Sequence, residues 1–115
     1  MKKVSVIIIN YNTEEMTRKV ISNFLNMEKY LDSEIILIDN NSESFDRVAF
    51  ENDCRVIIQN NKNLGFAKAV NQGLEKASGD YLLLLNSDLF IKEKTMKKLI
   101  EKLNRERQVA IVGPK

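Results

Sequence analysis

From end to end, this chain alternates apolar runs of strand length with stretches whose apolar residues recur at helical spacing. Val4–Ile9 is a nearly continuous β-branched run, as expected of a strand buried on both faces. Thr13 is placed to cap a following helix, with Glu14 and Glu15 complementing the dipole of its first turn. Met16, Val20, Phe24 and Met27 then recur on one helical face. A second apolar run, Ile35–Ile38, ends in the turn-forming cluster "DNNSES". Arg47–Asn52 reads as a short helix and Val56–Ile58 as a third strand. The loop signal "QNNKNLG" follows. Phe66, Val70, Gly73, Leu74 and Ala77 define a second helical face, and Gly79 stands near its end. Tyr81–Leu85 is a fourth strand. Met96, Leu99, Ile100 and Leu103 mark a last helix, with Lys94, Lys97, Lys98 and Lys102 on its solvated side. Val109–Val112 is a fifth strand.

Strand and helix in repeated alternation predict an α/β fold, a mainly parallel sheet flanked by helices. With 115 residues the chain is read as a single domain, 1–115, large enough for one core. In such sheets ligands bind outside the carboxyl ends of the strands. Those ends read "NYN" (10–12), "DNNS" (39–42), "NNKNLGF" (60–66) and "NSD" (86–88), polar in every case.

Composition narrows the chemistry. A net charge of +2 gives no basic surface that would imply nucleic acid, and no apolar run reaches bilayer length. The apolar run after the two N-terminal lysines is too short for a signal peptide and has no cleavage site behind it. A cytoplasmic location, including the inner face of a membrane, is the expectation. With one cysteine and no histidine, an intrachain disulfide, a Ser-His-Asp triad and an imidazole zinc site are all excluded. Any metal must be held by oxygen ligands, which points to Mg2+ or Mn2+.

Asn86 and Asp88 lie two residues apart after a buried strand, so both side chains can face one divalent cation; an Asx-turn is the other reading. Asp39, after the second strand, has the position from which a carboxylate accepts hydrogen bonds from a ribose or a base, or simply forms a turn. Tyr11 can stack on a base or cover the edge of the core. Gly65 suits a tight turn before a helix whose N-terminus faces outward. Neither a P-loop nor a GxGxxG motif occurs. Cys54 reads as a small residue at the core edge, with no second Cys or His to activate it.

Taken together, "VSVIIINYN", "ILIDNNSES" and "NLGFAKAVNQGLEKASGDYLLLLNSD" resemble, in order and spacing, the N-terminal half of a family 2 glycosyltransferase of the GT-A type. The "NLGFA" form with "NSD" is most similar to its rhamnosyltransferase-like members. The resemblance implies a Rossmann-like nucleotide-binding subdomain and a nucleoside-diphosphate sugar donor, UDP- or dTDP-linked. It also implies a saccharide or lipid-linked acceptor in bacterial surface polysaccharide synthesis. It places Tyr11 and Asp39 against the base and Asn12 and Asn41 in the same pocket. Ala67 and Asn71 would lie beside the nucleotide, and Asp88, with Asn86, would hold the metal. Asn86 departs from the family's first acidic position. The acceptor-binding half and the general base have no counterpart before Lys115. The resemblance thus implies the donor-binding part of a longer enzyme, and self-association through surface left uncovered is the accompanying expectation.

A receiver domain would need an acidic pair after the first strand, where this chain has "NYN". A nucleotidyltransferase would need a glycine- and basic-rich N-terminal loop that is absent. A non-catalytic nucleotide-binding or assembly module with the same fold is the main alternative.

Overall fold

A computed structural model of the chain describes residues 3–27 and 32–86, together with Lys98 and residues 110–111. The elements run β1 (Lys3–Asn10), α1 (Glu14–Met27), β2 (Asp32–Asp39), β3 (Val56–Gln59), α2 (Phe66–Lys76), β4 (Tyr81–Asn86) and β5 (Ala110–Ile111). A 3₁₀ turn, Arg47–Phe50, stands where a short helix is expected between β2 and β3. The expected last helix lies outside the described residues except for Lys98, which is helical and exposed.

All strand pairings are parallel, and the order across the sheet is β3-β2-β1-β4-β5. Successive strands step outward from β1 to β3, and the chain then crosses to the other side of β1 to lay down β4. The direction of winding therefore reverses between β1 and β4, the place where an open parallel sheet leaves a crevice at its carboxyl edge.

Alternation along the strands splits the core in two. Val4, Val6, Ile8, Ile35, Leu37, Tyr81, Leu83 and Leu85 pack with Val20, Ile21 and Phe24 of α1 and with Phe50 of the 3₁₀ turn. Ile7, Ile36 and Ile38 point the other way, towards Ala69 of α2. Both faces being covered explains why the strands read as unbroken apolar runs.

The two helices keep only part of the faces their apolar residues suggest: Val20, Phe24 and Gly73 are buried as expected, but the rest of each face is shifted. On α1 the buried residues are Thr17, Val20, Ile21 and Phe24, while Met16 is 43% exposed. On α2 they are Ala69 and Gly73, while Phe66 and Leu74 face outward. The reason is the closeness of α2 to the sheet. A Cβ on Gly73 would lie 2.7 Å from Ile7 Cγ2 and 3.1 Å from Ile38 Cδ1, so only small residues fit on that line.

At the amino edge of the sheet, Glu34 is buried and heavily bonded. Its carboxylate accepts hydrogen bonds from Ser5 Oγ (2.6 Å), Ser78 N (2.8 Å) and Ser78 Oγ (3.0 Å), and pairs with Arg55 and Lys3. Burial pushes its pKa up, but the hydrogen bonds from Ser5, Ser78 and Arg55 outweigh that and bring it down to about 2. Gly79 passes directly over Ser5, and its N–H donates to Ser5 Oγ at 2.8 Å. Cys54, buried nearby, has its thiol pKa pushed up to about 12 by desolvation and by the Asp53 carboxylate, as fits an inert core-edge residue.

Candidate functional site

The opposite, carboxyl edge gathers the polar strand ends. Register places Asn10 beside Asp39 and Ile9 beside Asn86, so the ends of β1, β2 and β4 lie side by side. Asn10 is wholly buried and Asp39 nearly so, at 2% exposure. Asp39 Oδ1 accepts from Asn10 Nδ2 (2.8 Å) and from Ser42 Oγ (2.6 Å), while Oδ2 accepts from the Ser42 N–H (3.0 Å). These donors are all neutral. Oδ1 is saturated, whereas Oδ2 has one described donor and keeps acceptor capacity.

Asn10 is in turn fixed from α1 and the residue just before it. Its Oδ1 accepts the hydroxyls of Thr13 (3.0 Å) and Thr17 (2.7 Å), and its Nδ2 also reaches Ser42 Oγ at 3.3 Å. Two hydroxyl donors on the oxygen and a carboxylate on the nitrogen settle which way the amide points. Thr13, expected only as a helix cap, thus takes part in the site as well.

The two loops are zipped together above this layer. The Asn12 N–H donates to Ser42 Oγ (2.8 Å) and the Glu43 N–H donates to Asn12 Oδ1 (2.8 Å). Asn12 and Asn41 have φ of 55° and 70°, the left-handed conformation that asparagine tolerates better than most residues. Tyr11 stands between the strand end and this turn with its side chain 48% exposed.

On the α2 side, Asn40 takes over. Its Oδ1 accepts from Leu64 N (2.9 Å) and Asn60 Nδ2 (3.3 Å), and its Nδ2 donates to Gly65 O (3.2 Å). Asn60 and Gln72 exchange two amide hydrogen bonds of 2.8 Å each. Gly65, at φ 83°, begins α2 without a side-chain cap. Ala67 and Asn71 are exposed on that helix, Ala67 in its first turn after Gly65.

The expected residues therefore share one edge. Asn12 and Asp39 are bridged through Ser42, Asn41 lies between them in the same turn, and Ala67 and Asn71 sit on the adjoining helix. Asn86 closes β4 at the same edge, and Asp88 lies outside the described residues. Among the described residues no group of three acidic or thiol side chains could hold a metal alone. Amide and carboxylate oxygens such as those of Asn86 and Asp88 are the donor type a hard divalent cation takes, and the backbone register sets Asn86 beside Ile9 at the end of β4.

Sequence reasoning missed Asn10, Asn40, Asn60, Gln72 and Ser42 as organising residues. For Asn10 a signal exists: Thr17 is a hydroxyl at the centre of the inward face of α1, and a buried polar group needs a partner.

The fold is a Rossmann-like parallel α/β sheet, and its polar strand ends gather at this one edge. The sequence profile described as "Glycosyl transferase family 2" matches residues 5–115, so the chain belongs to that family. It is 30% identical over 116 residues to the glycosyltransferase GlyG of Streptococcus pneumoniae, covering 96% of this chain and 38% of the relative. It is 32% identical over 114 residues to a dolichol-phosphate mannosyltransferase of Pyrococcus furiosus, covering 95% of this chain and 32% of the relative. Its fold matches a mannosyltransferase from Pyrobaculum calidifontis, PcManGT, solved with GDP-Man and Mn2+ (TM-score 0.76, 20% identity, 89% of this chain and 32% of that one). It likewise matches residues 1–349 of S. aureus TarS with UDP (TM-score 0.74, 24% identity, 90% of this chain and 32% of that one). The chain thus spans about a third of the length of the glycosyltransferase, the dolichol-phosphate mannosyltransferase and PcManGT.

Proposed function

We propose that residues 1–115 form the donor-binding part of a glycosyltransferase, holding a UDP- or dTDP-sugar whose sugar passes to a saccharide or lipid-linked acceptor. The observation that carries this is the fixed Asp39 carboxylate at the carboxyl edge of a family 2 sheet, with one oxygen still able to accept a hydrogen bond. An N–H on the base edge or a ribose hydroxyl is the natural donor to it, with Tyr11 against the base and Asn12 and Asn41 shaping the turn. Ala67 and Asn71 flank the nucleotide from α2.

Asp88, with Asn86, would hold Mg2+ or Mn2+, supported by the neighbouring fold solved with GDP-Man and Mn2+. When bound, the cation supplies electrostatic stabilisation of the diphosphate as it leaves. The chain's own contribution is to bind and orient: buried strands deliver the polar groups to fixed positions at one edge. Synthesis of bacterial surface polysaccharide, with rhamnosyltransferase-like chemistry, is the setting the "NLGFA…NSD" pattern favours. A cytoplasmic face fits a chain whose described helices include none long and apolar enough to cross a membrane.

Calorimetric titration of the chain with UDP and dTDP, with and without Mn2+, tests this reading. Binding that strengthens with Mn2+, and loses that increment in Asp88→Asn, is the expected result. Absence of binding at millimolar nucleotide under both conditions would overturn it in favour of a non-catalytic assembly module.

A further inference from the structure

Resting on the nucleotide reading above, we infer that Asn10 is the positioning residue of the donor site. It orients the Asp39 carboxylate from below, and Thr17 orients Asn10 in turn. The side chain of Asn10 is fully buried and has no exposed surface with which to meet a ligand. Its described side-chain hydrogen bonds lie within the site: Thr13 and Thr17 hydroxyls on Oδ1, Asp39 Oδ1 and Ser42 Oγ on Nδ2. Three elements meet at this amide: β1, which carries it, α1, which supplies Thr17 and is preceded directly by Thr13, and the end of β2, which supplies Asp39.

The consequence for Asp39 is directional. With Oδ1 occupied by Asn10 and Ser42, the carboxylate cannot rotate without giving up charge-assisted hydrogen bonds, so Oδ2 stays turned to the same side. A donor is essential at position 10. The amide nitrogen stands 2.8 Å from a carboxylate oxygen, and an acceptor placed there would repel it. Apart from the Asp39 carboxylate itself, every described side-chain partner in this cluster is neutral. On α1, Arg18 sits between Glu14 and Asp46 and Lys19 pairs with Glu15, while Glu43 is exposed to solvent.

Asn10→Asp discriminates this role from mere packing. The substitution keeps size and keeps an acceptor for Thr13 and Thr17, but it sets two carboxyl groups within hydrogen-bond distance. Such a pair holds one shared proton up to unusually high pH, and while protonated it restores a donor towards Asp39. We expect UDP affinity of Asn10→Asp to fall about thirtyfold at around pH 8 and to recover to within about threefold at around pH 5.5, while the unsubstituted chain stays nearly flat. The carboxyl ¹³C resonances of the variant should titrate as a coupled pair, with or without nucleotide. Should Asn10→Asp not fold, Thr17→Val and Thr17→Ser carry the test. The valine variant, which removes one hydroxyl, should weaken UDP binding about fivefold by the loss of one hydrogen bond, and the serine variant should restore it. If the unsubstituted chain binds UDP and neither Asn10→Asp nor Thr17→Val changes affinity or its pH profile, the inference is overturned. If the unsubstituted chain fails to bind UDP at all, the nucleotide reading falls, and with it the role assigned to Asn10.

Discussion

Strand β2 carries a buried carboxylate near each end, Glu34 at the amino edge of the sheet and Asp39 at the carboxyl edge, and the two are treated in opposite ways. Glu34 is met by two cations and by several donors from Ser5 and Ser78, so both of its oxygens are fully engaged. Asp39 is met only by neutral donors, and one of its oxygens retains capacity. The first is a closed knot that ties β1, β2, β3 and the entry to β4 together. The second is rigid yet incomplete, as the proposed binding role requires. A buried charge alone therefore says little about function; its remaining valence does.

Breaking the knot should have the largest effect. Glu34→Ala removes the carboxylate that Ser5, Ser78 and Arg55 donate to and leaves the buried end of this knot without its acceptor, and we expect a loss of about 3–5 kcal/mol in urea unfolding. The same residue makes stability depend on acid. Because its folded pKa is lowered from 4.5 to about 2, the stabilisation is complete above about pH 5. It fades as pH falls through that window, and Glu34→Ala should remove this slope from an acid titration of stability.

Gly79→Ala should follow in size. A Cβ there would stand 2.6 Å from Ser5 Oγ and 2.7 Å from the Ser5 backbone nitrogen, where the strand cannot yield. A cost of about 1–3 kcal/mol in thermal unfolding is expected from this overpacking, with nucleotide affinity unchanged in the folded fraction.

The smallest effect belongs to the other edge. Asn41, at φ 70°, should lose about 1 kcal/mol on replacement by alanine and almost nothing on replacement by glycine, because only the alanine is strained there. Guanidinium-chloride midpoints of the two variants would separate this backbone effect from a side-chain one.

The strands were legible because a parallel sheet covered on both faces demands uninterrupted apolar runs. Val4–Ile9 extends only to Lys3–Asn10 in the structure, and Tyr81–Leu85 to Tyr81–Asn86. The helical faces were less so. Phe66 and Leu74 follow the apolar period of α2, but the close approach of Gly73 to Ile7 turns the helix so that Ala69 and Gly73 face the sheet. On α1, a hydroxyl at Thr17 takes the place expected of Met16, because its partner is the Asn10 amide rather than the apolar core. The site's edge followed from the strand ends, whereas its internal wiring did not. Hydrogen bonds such as Asn10 to Asp39 and Asn60 to Gln72 join residues distant in sequence, and local pattern carries no trace of them. Glu34 escaped for a related reason: it precedes the apolar run of β2 and reads as solvent-facing until Ser5 and Ser78 are brought to it.

The central claim is that the carboxyl edge binds a nucleotide while the amino edge only holds the fold. Amide chemical-shift mapping during a UDP titration in the presence of Mn2+ examines both edges at once. The account predicts perturbations at Tyr11, Asn12, Asp39, Asn41, Ala67 and Asn71, with Glu34, Ser78 and Gly79 unmoved. Shifts centred on Glu34 and Ser78, or none at either edge, would contradict it.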